Sequence, residues 1–284
     1  MPAAIVISDI TGLTGIAIME AILKGERDPA VLSKMRDQRI KASAESIAQA
    51  LVGDYQREHL FTLRQSLQAY RQLQDLIAAC DREIEQNLEQ FDSKLEATQA
   101  PLAKPKDHHK PRHNQMKFDL RGHLYRIFGV DLTEIPGINA LTAHVLFAEI
   151  GPDLSRFANA SAFVSWLGLC PDNRISGGKI LSVRTRAVKN RAALALRMSA
   201  QALHRSQSSL GSYYRRMRAK LGGPKAITAA AHKLARVVYH LLTTRQSYQE
   251  SVFIQCETLN QRRTEVRLRR QAHALGFDLI KAST

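Results

Sequence analysis

The chain holds 284 residues, 44% of them apolar, and carries a formal charge of +15. That apolar share is enough for a packed core and excludes a disordered polypeptide. No apolar run approaches the roughly 20 residues needed to span a bilayer, and the first residues lack the basic-then-apolar order of a signal peptide, so neither a membrane nor export is expected.

The charge is localised. Residues 171–250 carry 16 Lys and Arg against 2 Asp and Glu, whereas residues 1–170 carry 19 against 21. Localised positive charge is the footprint of phosphate binding, which points to nucleic acid ahead of an anionic protein or a membrane surface. Cys80, Cys170 and Cys256 lie far apart in sequence without metal-ligand spacing, a pattern that fits a reducing cytoplasm rather than a disulfide framework. His108, His109 and His113 fall in a Pro/Lys-rich stretch and read as solvated linker, so no metal site is expected.

The elements follow from patterning and punctuation. Ala4 to Ser8 reads as a short extended segment with no strand partner nearby. Helices are predicted over Leu13 to Leu23, with Gly25 as the stop; from Asp28-Pro29, since proline suits a first turn; and over Ala44 to Leu51. From Tyr55 to Ala97 there is no proline or glycine. Apolar residues there recur in steps of three and four, from Leu60, Leu63 and Leu67 through Leu73 and Ile77 to Leu88 and Phe91. This is the seam of a coiled coil and predicts one long helix whose partner is a second chain or another helix of the same chain. Residues 98–117 hold three prolines among polar residues and read as a linker. Further helices are predicted over Leu120 to Phe128, Ala140 to Ile150, Phe157 to Leu167, Asn190 to His204, Tyr213 to Leu221 and from Pro224 to about Leu242, with a weakly packed basic helix over Gln261 to Arg270.

The expected architecture is therefore mainly α. A helical region with a long coiled-coil arm covers 1–97, a linker 98–117, a compact helical DNA-binding domain 118–243, and a basic tail 244–284. Within the DNA-binding domain, Ile135-Pro136-Gly137-Ile138-Asn139 between two helices has the form of a helix–hairpin–helix. In that motif the hairpin amides and the next helix's N-terminus face a DNA phosphate, because unsatisfied donors and a helix dipole both favour an anion. Pro136, Gly137 and Asn139 are the candidates there; the alternative is a plain turn between packed helices.

The run Arg174-Ile175-Ser176-Gly177-Gly178-Lys179 opens the most basic stretch of the chain. Gly177 and Gly178 let the backbone approach an anion and Lys179 supplies charge. Arg184, Arg186, Arg191 and Lys225 extend the basic set. Two readings stay open on chemistry alone. Ser176 either sits in a loop that binds phosphate non-covalently, or its hydroxyl attacks a phosphodiester with Lys179, Arg184 and Arg186 stabilising the charge. Asp172 and Glu250 are the only carboxylates in 171–250, which argues against a two-metal nuclease built within this region.

The ordered string from Ile135-Pro136-Gly137-Ile138 through Phe163-Val164-Ser165-Trp166-Leu167-Gly168-Leu169-Cys170-Pro171 to Ser176-Gly177-Gly178-Lys179 resembles the C-terminal domain of transposases of the insertion sequence 110 family. The likeness continues through Lys189-Asn190-Arg191 and Leu196-Arg197 to Lys225-Ala226-Ile227 and His232-Lys233-Leu234-Ala235-Arg236. Ser8-Asp9-Ile10-Thr11-Gly12 and Gly25-Glu26-Arg27-Asp28-Pro29 look like the family's middle segment. The resemblance implies that Ser176 is the DNA-attacking nucleophile of a DNA recombination reaction. It also implies a RuvC-like domain with four acidic residues that bind divalent metal, and a guide RNA as a further partner. No stretch of this sequence resembles that acidic domain. The expectation is a truncated chain that binds DNA or structured RNA and needs no cofactor of its own, but does not transpose alone. The alternative is a non-catalytic remnant that joins full-length transposase through its coiled coil.

Overall fold

The computed structural model describes residues 6–95, 101–103, 115–182 and 184–278. It is mainly α, and the strands among the described residues form one two-stranded sheet. The chain divides into two compact units, Met1–Arg82 and Glu83–Thr284.

In the first unit, helices α1 (Leu13–Leu23), α2 (Pro29–Lys34) and α3 (Ala44–Leu51) lie where patterning predicts them. Two of them are capped by side chains that satisfy orphan amides. Asp28 accepts from the Ala30 N–H at 2.8 Å and Ser43 from the Ser46 N–H at 3.1 Å. Ile7, Ile18, Ile22, Leu32, Ile47 and Leu51 form a small core. The expected extended segment is not found: Val6 is helical and Ile7 and Ser8 bend, while Ala4 and Ile5 lie outside the described residues. A short apolar run does not by itself distinguish strand from helix, and here Ile7 is 5% exposed in a helical core.

Helix α4 (Arg57–Glu89) is the predicted long helix. Leu60 and Leu63 pack on the first unit's core. Leu73, Leu76 and Ile77 remain 58, 62 and 41% exposed. The helix stops eight residues short of Ala97 for a tertiary reason. Arg126 donates to the Leu88 carbonyl at 2.7 Å and to the Phe91 carbonyl, and the Lys94 N–H donates to the Arg126 carbonyl at 2.8 Å. The carbonyls that another turn would use are thereby taken. Most of the predicted linker, residues 98–100 and 104–114, lies outside the described residues.

The second unit adds α5 (Leu120–Phe128), α6 (Ala140–Ile150), α7 (Ala160–Trp166), α8 (Arg191–Ala202), α9 (Ser209–Leu221), α10 (Gly223–Thr244) and α11 (Glu250–Ala274). Helices α8 and α10 form its centre. Ala192, Ala193, Leu196 and Ala200 of α8, and Ala226, Ala230, Ala231, Leu234 and Ala235 of α10, are each at most 1% exposed. Small alanine side chains let helix axes approach closely. Phe163 of α7 is fully buried and meets the rings of Phe157 and Tyr239 at 5.1 and 5.8 Å. Helix α7 starts three residues later than predicted because Asn159 caps it, accepting from the Ala162 N–H at 2.9 Å.

Candidate nucleic-acid interface

Strands β1 (Arg174–Ser176) and β2 (Lys179–Ser182) turn the predicted Ser176 loop into an antiparallel hairpin. Ser176 pairs with Lys179 across Gly177 and Gly178, whose φ values are +54° and +75°. A two-residue connection with both φ positive is the favoured hairpin turn, and glycine enters it without strain. Below the tip, the Asp172 N–H donates to the Arg184 carbonyl at 2.9 Å and Pro171 bridges to Thr185. Ile175, Ser176, Lys179 and Leu181 are all exposed. The hairpin thus carries the serine hydroxyl out of the helical body.

The basic candidates are positioned in different ways. Lys179 faces Ser176 across the turn. Arg184 sits at the hairpin base. Arg186 is pinned at the end of α7, donating to the Ser165 carbonyl at 2.8 Å and the Ser165 hydroxyl at 3.0 Å. Arg191 pairs with Glu149 of α6. Lys225 is exposed in the first turn of α10. Among the described residues, no hydrogen bond or ion pair joins Ser176 to Arg184, Arg186, Arg191 or Lys225. The lone carboxylate on the hairpin, exposed Asp172 at its base, does not make a donor set for a divalent cation.

The turn before α6 is tightly built. Gly137 has φ +90°, and a Cβ there would lie 2.7 Å from the Ser199 carbonyl of α8. Asn139 caps α6, its side-chain oxygen accepting from the Thr142 N–H at 2.8 Å. Pro136 lines an open cleft of about 600 Å³ shared with Glu134, Ser208, Tyr248 and Glu250. There Glu250 accepts from the Ser209 N–H and the Tyr248 hydroxyl, both at 2.6 Å, and Glu134 accepts from the Tyr248 N–H at 3.2 Å. Burial, then the bond and charge of Glu250, hold the Tyr248 hydroxyl far above its ordinary range.

Two arrangements escaped sequence reasoning. Exposed Arg156 stacks on two rings, 4.8 Å from the Phe157 centroid and 5.0 Å from that of Trp166, with Trp166 itself 37% exposed. Their spacing of nine to ten residues has no motif signature. Glu85 and Glu89 of α4 meet His123 of α5, with ligand-type atoms within 4.8 Å of one another. The i, i+4 carboxylates are a readable signal, but their imidazole neighbour comes from a different helix.

Comparison with known proteins adds to this geometry. Residues 131–215 match the family described as Transposase IS116/IS110/IS902 family. The chain is 31% identical over 132 residues to the "Putative transposase y4pF/y4sB" of Sinorhizobium fredii, covering 42% of this chain and 32% of that protein. It is 34% identical over 122 residues to the "Mini-circle putative transposase for IS117" of Streptomyces coelicolor, covering 42% and 29%. The matched part therefore spans about a third of the length of these curated relatives.

Proposed function

We propose that this chain is an insertion-sequence transposase that grips DNA by its phosphates and attacks it with Ser176, a reading supported by the match of residues 131–215 to the IS116/IS110/IS902 transposase family. The observation that supports this most is the placement of Ser176. It lies inside the matched segment, exposed beside Lys179 at the tip of a hairpin that projects from a basic domain. A hydroxyl there reaches a phosphodiester without the body having to open.

In the proposed step the Ser176 Oγ–phosphorus bond forms as the phosphorus–oxygen bond to one sugar breaks. The serine proton leaves to solvent and the freed sugar oxygen takes one up. The phosphoserine ester keeps the bond energy, so a second sugar hydroxyl can reverse the step without an external energy source. Lys179 stabilises the charge that builds on the phosphoryl oxygens. The turn before α6 presents the Ala140 and Leu141 amides to a neighbouring phosphate, while Arg184, Arg186 and Lys225 add charge. Helix α4 pairs with a second copy through Leu73, Leu76 and Ile77. A guide RNA is a second polyanion for the same basic domain.

The test is a nicked DNA substrate that traps a protein–DNA ester, resolved on a denaturing gel. Mixed with a RuvC-like domain and divalent metal, the wild-type protein gives the slow-migrating adduct, and Ser176→Ala gives none while still binding DNA. An adduct that survives Ser176→Ala overturns the assignment.

A further inference from the structure

Helix α11 (Glu250–Ala274) has a rooted half and a projecting half. Its root is fixed by the Glu250 contacts to Ser209 and Tyr248, and by Phe253, which stacks on Tyr248 at 5.4 Å and lies 5.6 Å from the Lys233 ammonium. Beyond the root the described side chains are exposed almost without a break. All five cations of residues 261–274 are arginines: Arg262, Arg263, Arg267, Arg269 and Arg270, against a single carboxylate, Glu265. At about 100° per residue they fall within roughly 160° of the helical circumference. Arg263, Arg267 and Arg270 lie within about 60° of one another on one side of it.

The helix dipole does not explain this face. Its influence fades within the last turn, and the basic residue of that turn is His273. Packing does not explain it either, since the arginine face is solvent-exposed and Val266 in its midst is 51% exposed. A membrane surface fits poorly, because the opposite face carries Thr264 and Gln271 beside Leu268 and lacks a continuous apolar stripe.

We propose that the projecting half of α11 is a second nucleic-acid contact, an arginine face that enters the major groove of duplex DNA and meets the phosphates along its edges. This rests on the DNA-binding reading above and extends it to a separate element. Charge complementarity names the partner. Guanidinium forks match phosphate oxygens in pairs. Arg263 to Arg270 span about 10 Å of helix, comparable with the axial rise of three base pairs at ~3.4 Å each. An α-helix fits the major groove of B-form DNA, whereas the deep, narrow major groove of A-form RNA does not admit it.

The experiment measures binding of the full chain to labelled duplex DNA as salt is varied. Arg263→Gln, Arg267→Gln and Arg270→Gln together lower affinity at least tenfold and reduce the log–log salt slope by about 2–3. Lys24→Gln, Lys34→Gln and Lys41→Gln, three exposed cations of the first unit, make the same charge change and leave the slope unaltered. Arginine modification in the unsubstituted protein supplies a second readout, with DNA protecting Arg263, Arg267 and Arg270 but not exposed Arg64. An unchanged slope in the arginine variant, equal loss in the lysine variant, or absence of protection overturns the proposal. So does tighter arginine-dependent binding of folded RNA or anionic vesicles than of DNA. If the unsubstituted chain binds no DNA at all, the proposed function itself falls.

Discussion

The hairpin carrying Ser176 and the helical body from which it rises obey opposite rules. In the body, Phe163, Leu146 and Leu196 are fully buried and small residues bring α8 and α10 together. On the hairpin, Ile175 and Leu181 are 62 and 68% exposed and the contacts are backbone bonds within the hairpin. The body supplies stability and holds orientation. The hairpin supplies reach, and little of the domain's stability depends on it.

Substitutions that touch one region at a time can break that contrast. The largest effect is expected in the body. Phe163→Ala removes a fully buried ring and costs about 3–5 kcal/mol, read as an earlier urea midpoint by the fluorescence of Trp166, the single tryptophan. Gly137→Ala comes next at about 2–3 kcal/mol, because it combines a positive φ with a Cβ 2.7 Å from the Ser199 carbonyl. Gly178→Ala shares the positive φ but meets nothing within 4 Å, so it costs about 1 kcal/mol and its strain is confined to the turn. Should Gly137→Ala and Gly178→Ala prove equal, the claim that the first turn is locked against α8 fails.

A pH scan probes the body alone. Burial lowers the pKa of His144, and burial followed by Arg236 lowers that of His232. Each folded pKa lies below the ordinary value near 6.5, so as pH falls through about 6.5 the unfolded chain takes up protons that the folded chain refuses. Stability therefore drops on acidification and is regained at neutral pH. The melting temperature followed by Trp166 falls between pH 7.5 and 5.5, and less so in His144→Gln. The smallest stability change is expected for Ser176→Ala, within about 0.5 kcal/mol. A large shift there would mean that the hairpin is packed after all.

Legibility followed locality. Helices α1, α3, α5 and α6 coincide with their sequence spans because their periodicity and the residues that start and stop them are local in sequence. The end of α4 did not, since Arg126 reaches it from 35 residues away. The misread segment near Ile7 shows the ambiguity of a short apolar run. The hairpin is readable in principle, as Gly177-Gly178 between apolar neighbours is a hairpin turn signal. What could not be seen was that Gly137 abuts Ser199, because that requires the facing helix.

The Gly177-Gly178 turn also has a consequence in time. The hairpin's pairings all fall between Pro171 and Thr185, and contacts this local close in roughly 1–10 μs. The strand pair can open and re-form many times while the α8–α10 pair stays shut. Its amides are therefore expected to exchange with solvent deuterons long before those of Leu196 or Leu234.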